Sequence, residues 1–534
     1  TELLPDLGAK MKKYPILLWI AVLLLGWLFD FLFWEHPLGI NFAIYLTLCL
    51  LGGLGLLLAN GLKPAWKSLW LLLPFGFFSA ISFLRQERLT LFLACTIALV
   101  TLGILVVTYL GGRWTRYSLF DYANKFARLA FYTLVDPYRY FEQARPEIHA
   151  AGDRLRGAPL KRILRGVLIA IPVVIFFTAL LASADMVFNQ KIGDFFDLFD
   201  IDKIPEYIFR LLLILILAYG LMGAFLHAAT RSQDEKLLGE DKPVLKRFLH
   251  FTETAIVLGS VVILFLLFVI IQFQYFFGGE VNIGVEGYTY SQYARSGFNE
   301  LITVACCSLV MILGLSTITR RESNWQKRTY SGLSAALLGL VLVILFSAYQ
   351  RLTLAIDWHG FSRLRLYPRV FLIWVGILFI AVIVLEVIRR ERYFALAAVV
   401  ASIGFAVTLS LVNVDASIVR HNAYRTLEGK HFNVNHLTTL SADAVPALAE
   451  AYLDRSLPVE TRDGLGAALV CFLNSELYVD YPDQDWQSFT YAQWAAVKAL
   501  EEVEPRLDGY KFNDRIYPYL VETPRHMLYE CAVR

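Results

Sequence analysis

Eleven apolar stretches run along the chain, each long enough to cross a lipid bilayer as an α-helix. Crossing roughly 30 Å of hydrocarbon takes about 17–25 mostly apolar residues, and short charged segments separate the stretches. Because apolar runs of this length are stable only with lipid around them, they predict a polytopic α-helical membrane protein. The predicted spans are residues 15–34, 38–59, 66–84, 89–110, 163–182, 207–229, 252–277, 298–318, 331–350, 369–388 and 393–413.

Composition agrees with this interpretation. Only 18% of the residues are charged, against roughly 25% in an average soluble protein. The net charge of +3 is too small to indicate a nucleic-acid partner, and no such partner is expected. The third and fourth spans are separated only by Arg85-Gln86-Glu87-Arg88, so they form either a tight hairpin or a partly re-entrant pair.

The distribution of basic residues predicts an orientation, since Lys and Arg favour cytoplasmic boundaries. Of the 49 Lys and Arg residues, 28 fall on alternate boundaries beginning with the N-terminus, and ten fall on the boundaries between. The gap at 183–206 is acidic. We therefore predict a cytoplasmic N-terminus and an extracytoplasmic C-terminal domain.

The sequence divides into four segments on this basis. Residues 1–110 are predicted to form an N-terminal four-helix membrane segment, 111–162 a cytoplasmic amphipathic loop, and 163–414 a seven-helix membrane core. Residues 415–534 are predicted to form a small soluble domain. The expected fold is an all-α transmembrane bundle with a small helical extracytoplasmic domain.

The long inner loop contains an amphipathic pattern. Its polar residues Asp121, Asn124, Lys125 and Arg128 lie opposite an apolar face between Tyr117 and Val135. One interpretation is a helix in the membrane interface with its basic face toward anionic headgroups. The alternative is an ordinary helix packed on the bundle. The apolar face comprises Phe120, Ala123, Phe126, Ala127, Ala130, Phe131 and Leu134.

The C-terminal segment has the pattern of moderate-length soluble helices. Helices are predicted at 442–455 and 460–473, and a third begins at Thr490. Gln493 follows Thr490 by three residues, which is the spacing of a capping box. Trp494, Val497, Leu500 and Val503 are placed on one face of this helix, and no strand pattern stands out.

Cysteine positions add one structural question. Cys49, Cys95, Cys306 and Cys307 lie inside predicted spans, where thiols behave as small apolar groups. Cys471 and Cys531 lie in the domain placed outside, where an oxidising compartment permits a disulfide. Two unpaired buried thiols are the alternative.

Ionisable and polar residues collect at the predicted outer ends of several spans. Such residues at membrane depth either pair with one another or line a hydrated cavity. The first possibility is an outward-facing site for an anionic headgroup, carboxylate or phosphate; the second is a set of structural ion pairs and snorkelling side chains. The candidate ligand-binding residues are Asp185, Arg295, Glu300, Arg351, Asp357, Arg363, Arg365, Tyr367, Asn413 and Asp415.

No familiar catalytic or cofactor motif is present. The sequence lacks a phosphate-binding loop, a His-Glu-x-x-His motif, a Cys-x-x-Cys pair and a Gly-x-Ser-x-Gly elbow. His421, His431 and His436 have spacings that give only weak support for a metal site. No catalytic residue, metal or cofactor is therefore predicted.

Five stretches follow one another along the chain: Leu180–Phe188, Tyr290–Leu301, Gly360–Tyr367, Asn413–Asn422 and Leu440–Leu448. In that order they resemble a family of bacterial multi-pass membrane proteins that is catalogued only as a domain of unknown function. The resemblance covers roughly residues 160–450 and implies a bacterial cytoplasmic membrane and a core beginning near the fifth span. The chain departs from the family pattern at Phe361-Ser362 and at Val414.

The sequence is compatible with three functions. The first is transport or handling of an anionic or lipid-like ligand through the outer polar site. The second is envelope signalling or assembly, in which the C-terminal domain is presented to a protein partner. The third is an enzyme with Asp185, Glu300 or Asp357 as acid or base, which would need two carboxylates close together.

Overall fold

A computed structural model describes residues 15–154, 203–233, 237–238, 247–277, 298–430, 433–514 and 518–532, together with positions 170, 174, 177 and 181. Ten helical segments in these ranges are long and apolar enough to span a membrane. They correspond to ten of the eleven predicted spans. The remaining one, 163–182, lies outside the described residues apart from those four positions.

The structure is mostly α-helical, as predicted, with one small sheet near the C-terminus. The α-helices of the described part are α1 (Pro15–Phe33), α2 (Ile40–Ala59), α3 (Trp66–Leu69), α4 (Leu72–Leu84), α5 (Arg88–Thr108), α6 (Leu119–Arg154), α7 (Ile204–Thr230), α8 (Phe251–Phe277), α9 (Phe298–Ile318), α10 (Asn324–His359), α11 (Arg363–Val387), α12 (Phe394–Val412), α13 (Val414–Tyr424), α14 (Val434–Leu437), α15 (Val445–Leu453), α16 (Val459–Leu473), α17 (Glu476–Val479) and α18 (Tyr491–Val503). The strands are β1 (Lys511–Asn513), β2 (Tyr519–Glu522) and β3 (Leu528–Cys531).

The spanning helices expose apolar side chains, as a bilayer requires. In the span Phe251–Gln272 only 17% of the residues are buried. Ile263 and Leu264 of this span are 68% and 60% exposed. Exposing a large apolar side chain to water costs about 1.5–3 kcal/mol relative to burying it, so hydrocarbon is the medium that suits this surface.

Two groups of helices form the membrane part. Leu18, Phe78 and Met222 belong to a core shared by α1, α2, α4, α5 and α7. Leu338 and Phe379 belong to a second core shared by α8, α9, α10 and α11. Helix α12 joins the groups because it packs on both α5 and α11.

The helix boundaries meet at two ends of the bundle. At one end the amide of Ala65 donates to the carbonyl of Tyr109 at 2.6 Å. At the other end the Arg85 guanidinium donates to the carbonyl of Ser410 at 3.1 Å. Residues 85–87 form a tight connection between α4 and α5, and the choice between a hairpin of two full spans and a partly re-entrant pair stays a prediction. The side of the membrane on which each end lies stays a prediction.

Helix α6 is amphipathic as predicted, but its polar face, which the first interpretation places toward lipid headgroups, is the buried one. Asp121 and Lys125 are buried, whereas Phe131 and Leu134 are 59% and 66% exposed. The polar face is buried because it pairs with Arg231, the residue that follows the end of α7. The fully buried Asp136 accepts two hydrogen bonds from Arg231, at 3.0 and 3.2 Å. The polar face of α6 thus packs on the bundle, and its apolar face is left exposed in the described part of the structure.

The C-terminal domain is continuous with the bundle. Leu366 of α11 and Leu409 of α12 belong to the same hydrophobic core as α13, α15, α16 and α18. The domain is not wholly helical, because β1, β2 and β3 form an antiparallel sheet in that order. These strands have three or four residues each, too few to show a clear alternation in the sequence.

The capping box predicted at the start of α18 is absent. The side chain of Thr490 makes no capping hydrogen bond. Instead, the side chain of Gln86, from the α4–α5 connection, donates to the Thr490 hydroxyl at 2.8 Å and to the side-chain oxygen Oε1 of Gln493 at 3.4 Å. Gln86, which is distant in sequence, thus binds the two side chains that were predicted to cap the helix.

Candidate functional site

Eight of the ten predicted site residues are described, and Asp185 and Arg295 lie outside the described residues. The structure brings four of the eight together where the C-terminal domain meets α5, α11 and α12. These four are Arg363, Tyr367, Asn413 and Asp415. Arg85, Glu87, Ser441 and Asp443, which the sequence did not single out, complete the group. We call these eight residues the interlock.

Asp415 and Arg363 form the first pair of the interlock. Asp415 has no solvent exposure, and the Arg363 guanidinium donates to both of its carboxylate oxygens, to Oδ1 at 2.8 Å. The amide and hydroxyl of Ser441 donate to Asp415 Oδ2 at 2.8 and 2.7 Å. These donors take the place of the water molecules that an exposed carboxylate would bind.

Asp443 is the centre of a second buried contact. Its Oδ2 accepts hydrogen bonds from the amides of Gln86 at 2.7 Å and Glu87 at 2.9 Å. Arg85 Nη1 lies 3.4 Å from Asp443 Oδ1. Burial raises the pKa of the Asp443 carboxyl above its ordinary value, and the Gln86 amide and the Arg85 guanidinium oppose that shift.

Glu87 connects the interlock to the membrane helices. Its carboxylate caps α5 by accepting from the amides of Leu89 at 2.9 Å and Thr90 at 2.8 Å, where a negative charge also suits the helix dipole. The hydroxyl of Tyr367 on α11 donates to the same carboxylate. The sequence signal was present, since an acidic residue preceding an apolar run can mark a helix start.

Asn413 forms the break between α12 and α13. It adopts φ 49° and ψ 82°, and its side chain accepts from the amide of Ala416 at 3.3 Å as the cap of α13. Asn tolerates this left-handed conformation better than most residues. Its side-chain amide nitrogen lies 3.5 Å from the carbonyl oxygen of Asp443, so the break between α12 and α13 is in contact with the Asp443 backbone.

Gly360 and Phe361 hold a neighbouring junction between α10 and the domain. The side-chain amide of Asn422 binds both the amide of Phe361, at 2.7 Å, and its carbonyl, at 2.9 Å. Gly360 has φ 78°, and an added Cβ would overlap the side chains of Asn422 and Arg425. His421 stacks on the Phe361 ring with centroids 3.8 Å apart. The His421 ring therefore makes a packing contact with Phe361.

The other candidates lie apart from the interlock. Arg365 donates to the carbonyl of Gly360 at 2.9 Å and so satisfies the end of α10. Glu300 and the Asp357 side chain are exposed, and the Asp357 carbonyl accepts from Arg425 at 2.6 Å. Arg351 is half-buried on α10. No group of three metal-binding side chains occurs in the described ranges.

A different feature has the character of a ligand cavity. A space of about 800 Å³ lies between α2, α5, α6 and α7. Leu46 and Leu102 lie along it, and Leu215 and Ile216 on α7 are 46% and 67% exposed. The lining is apolar except for the two tyrosines and one thiol: Tyr45, Leu46, Cys49, Leu99, Leu102, Leu134, Leu212, Leu215, Ile216, Leu217, Tyr219, Gly220 and Leu221.

Two contacts hold α6 beside this cavity. The Tyr219 hydroxyl on α7 donates to the carbonyl of Leu134 at 2.5 Å. An added Cβ at Gly223 would overlap the backbone of Thr133, so α6 and α7 cross at van der Waals distance. Gly220, one turn earlier on α7, has open space where a Cβ would stand. The close crossing of α6 and α7 at Gly223 thus bounds the cavity, which is open one turn away at Gly220.

Comparison with known families matches residues 72–451 to the domain of unknown function DUF4153. The match covers well over half of the chain. The protein belongs to the DUF4153 family. It matches no curated protein and no solved structure.

The extent of the match bears on the site. In this DUF4153 protein the matched region begins at Leu72, so it reaches further toward the N-terminus than the residues 160–450 of the resemblance. It contains both sides of the interlock, from Arg85 to Asp443. Helices α1 and α2 lie outside it, as does the end of the C-terminal domain, where a disulfide joins Cys471 and Cys531.

Proposed function

We propose that this DUF4153 protein binds the acyl chain of a membrane phospholipid in the cavity between α2, α5, α6 and α7. The observation that carries the proposal is the cavity itself, about 800 Å³ in volume and lined almost entirely by apolar side chains. Its volume falls in the range of about 300–1,000 Å³ that is usual for small-molecule sites.

The chemistry of the lining favours an acyl chain over a polar ligand. Cavity residues on α7 and α5, including Ile216 and Leu99, are exposed on the surface that faces hydrocarbon. A lipid tail therefore reaches the cavity sideways without crossing water. Its binding draws on packing, because an unfilled apolar space forfeits the dispersion contacts of the atoms around it.

The interlock supports a structural role for the outer polar residues. Arg363, Asp415 and Asp443 face opposite charges or backbone donors within the fold. Ligand binding by the ten predicted residues stays a prediction, and the proposal does not use it. The proposal keeps the lipid-like ligand expected from the sequence, but it places the binding site in the cavity and not at the outer polar residues.

Substitutions at Gly220 test the proposal. Gly220→Phe fills the cavity from a position where an added Cβ meets nothing. Gly259→Phe on α8 is the matched control, since its Cβ also meets nothing and it lies outside the cavity. Native mass spectrometry of the full chain released from phospholipid nanodiscs measures the lipid retained per chain.

We expect the unaltered protein and Gly259→Phe to retain phospholipid and Gly220→Phe to lose most of it. Equal retention by both variants overturns the proposal, as does an unaltered protein that retains none. Size-exclusion profiles establish that each variant is folded before its lipid content is compared.

A second candidate function is presentation of the C-terminal domain to an envelope partner. The observation that favours it is the shared core, which fixes the domain on α11 and α12. Deleting 430–534 would expose that core, so a surface substitution is the better test. Leu528 is 63% exposed, and Leu528→Glu is expected to weaken partner crosslinking with no change in stability.

A further inference from the structure

The 3-10 turn Trp486–Ser488 and the first turn of α18 lie beside the ends of spanning helices. The amide of Ile40, at the start of α2, donates to the carbonyl of Phe489 at 2.9 Å. An added Cβ at Gly39 would overlap the carbonyl of Ser488. This part of the C-terminal domain is therefore in contact with the edge of the membrane region.

Three large aromatic side chains on this part of the domain are exposed. Trp486 is 55% exposed, Tyr491 47% and Trp494 39%. The Tyr491 and Trp494 rings lie 5.4 Å apart, and Lys498 Nζ lies 5.3 Å from the Trp494 ring centroid. Side chains that combine an apolar ring with a polar group are typical of the membrane–water interface.

One contact connects these residues to the lipid-facing surface. The Trp486 ring lies 6.4 Å from the ring of Phe31, in the last turn of the first span. Phe31 is itself 44% exposed on that span. The exposed aromatic surface of the domain is thus continuous with the surface that the first helix presents to hydrocarbon.

We infer that Trp486, Tyr491 and Trp494 form an aromatic ledge that rests in the lipid headgroup layer on the side of the membrane that carries the C-terminal domain. The ledge extends the membrane contact from the spanning helices onto the domain. The segment 476–504 is strongly acidic, with Lys498 its one basic residue. The ledge therefore binds zwitterionic headgroups through its rings, and does not depend on attraction to anionic lipid.

Photocrosslinking of the full chain in phosphatidylcholine nanodiscs tests this inference. A benzophenone amino acid replaces Trp486 or Trp494 in separate variants, and Tyr491 provides a third position. Phe31 is the positive control for lipid contact. Leu528 is the matched negative control, because it is 63% exposed and lies on β3 at the far end of the domain sequence.

We expect lipid adducts, seen as a mass increase of one phospholipid, at positions 31, 486, 491 and 494 and not at 528. The inference is overturned if position 31 gives lipid adducts and positions 486, 491 and 494 give none. Labelling of these positions by a second protein in native membranes, without lipid adducts, also overturns it and assigns the surface to a protein partner. Variants are compared only after eluting as the unaltered protein does.

Discussion

Asp443 accepts hydrogen bonds from the backbone amides of Gln86 and Glu87, although 357 positions separate Asp443 from Gln86 in the sequence. One buried carboxylate of the C-terminal domain thereby holds the connection between α4 and α5. The same group lies 3.4 Å from Arg85, which also donates to the carbonyl of Ser410 at the end of α12. The domain and the membrane helices are joined through these contacts.

Removing the Asp443 carboxylate should destabilise the protein strongly. Asp443→Ala removes the acceptor of the Gln86 and Glu87 amides and the ion-pair partner of Arg85, and breaking a buried pair costs up to about 3–5 kcal/mol. Thermal unfolding in detergent is expected to show a clear decrease in Tm. Arg420→Ala is the control, because Arg420 and Glu450 are 60% and 63% exposed and such a pair contributes at most about 1 kcal/mol. Equal effects of the two substitutions would contradict the role given to Asp443.

The raised pKa of Asp443 gives a pH dependence with a definite sign. A carboxyl whose pKa is higher in the folded than in the unfolded state favours folding when protonated, so its contribution falls as pH rises above about 3.8. The stability difference between the unaltered protein and Asp443→Asn should therefore grow in favour of the unaltered protein as pH is lowered from neutrality toward that value. A difference that shrinks over the same range would show that the interlock favours the charged carboxylate.

Two glycines one turn apart on α7 should respond differently to the same substitution. Gly223→Ala places a methyl group against the backbone of Thr133, and overpacking of this kind costs about 1–3 kcal/mol. Gly220→Ala meets open space, and alanine is the better helix former by roughly 1 kcal/mol. Thermal unfolding should show a lower Tm for Gly223→Ala only. An unchanged Tm for Gly223→Ala would mean that α6 and α7 do not cross as described, and a lower Tm for Gly220→Ala would contradict the open space beside Gly220.

The C-terminal domain contains a disulfide between Cys471 of α16 and Cys531 of β3, with the Cα atoms 5.6 Å apart. The loop it closes spans 60 residues, for which loss of unfolded-state entropy corresponds to about 4 kcal/mol. The double variant Cys471→Ala/Cys531→Ala should unfold at a markedly lower temperature under non-reducing conditions. Cys306→Ala/Cys307→Ala, which removes two free and exposed thiols, should leave Tm unchanged. An unchanged Tm in the first variant would show that the bond contributes nothing to stability.

Sidedness is tested by cysteine labelling in intact cells. In a chain without Cys306 and Cys307, Glu460→Cys should react with a membrane-impermeant maleimide, because the C-terminal domain is predicted to be extracytoplasmic. Lys327→Cys, at a boundary predicted to be cytoplasmic, should react only after permeabilisation. Both positions are exposed, so accessibility within the fold does not distinguish them. The opposite labelling pattern would reverse the orientation.

Sequence reasoning could locate the spanning helices because length and hydropathy are local properties. It identified the two faces of α6 but not which one is buried. In a soluble protein the apolar face is the buried one, whereas beside a membrane both lipid and protein are available to it. The fully buried Asp136 and its partner Arg231 decide the matter, and their pairing has no local signal.

The interlock was only half accessible to prediction for the same reason. Arg363, Tyr367, Asn413 and Asp415 were recognisable as polar residues at helix ends. Glu87 carried the local signal of a helix cap, but its contact with Tyr367 had no local signal. Asp443 had none either, because its carboxylate binds the backbone amide of Glu87 across a long separation in sequence. Thr490 and Gln493 had a correct capping spacing, but Gln86 from another part of the chain occupies them instead.

Electron cryomicroscopy of the full chain in phospholipid nanodiscs tests the proposed lipid site most directly. The account predicts an elongated density, not belonging to the protein, that runs along Leu99, Leu215 and Gly220 and is absent in Gly220→Phe. A cavity closed by protein side chains, or the same density in both proteins, would contradict it.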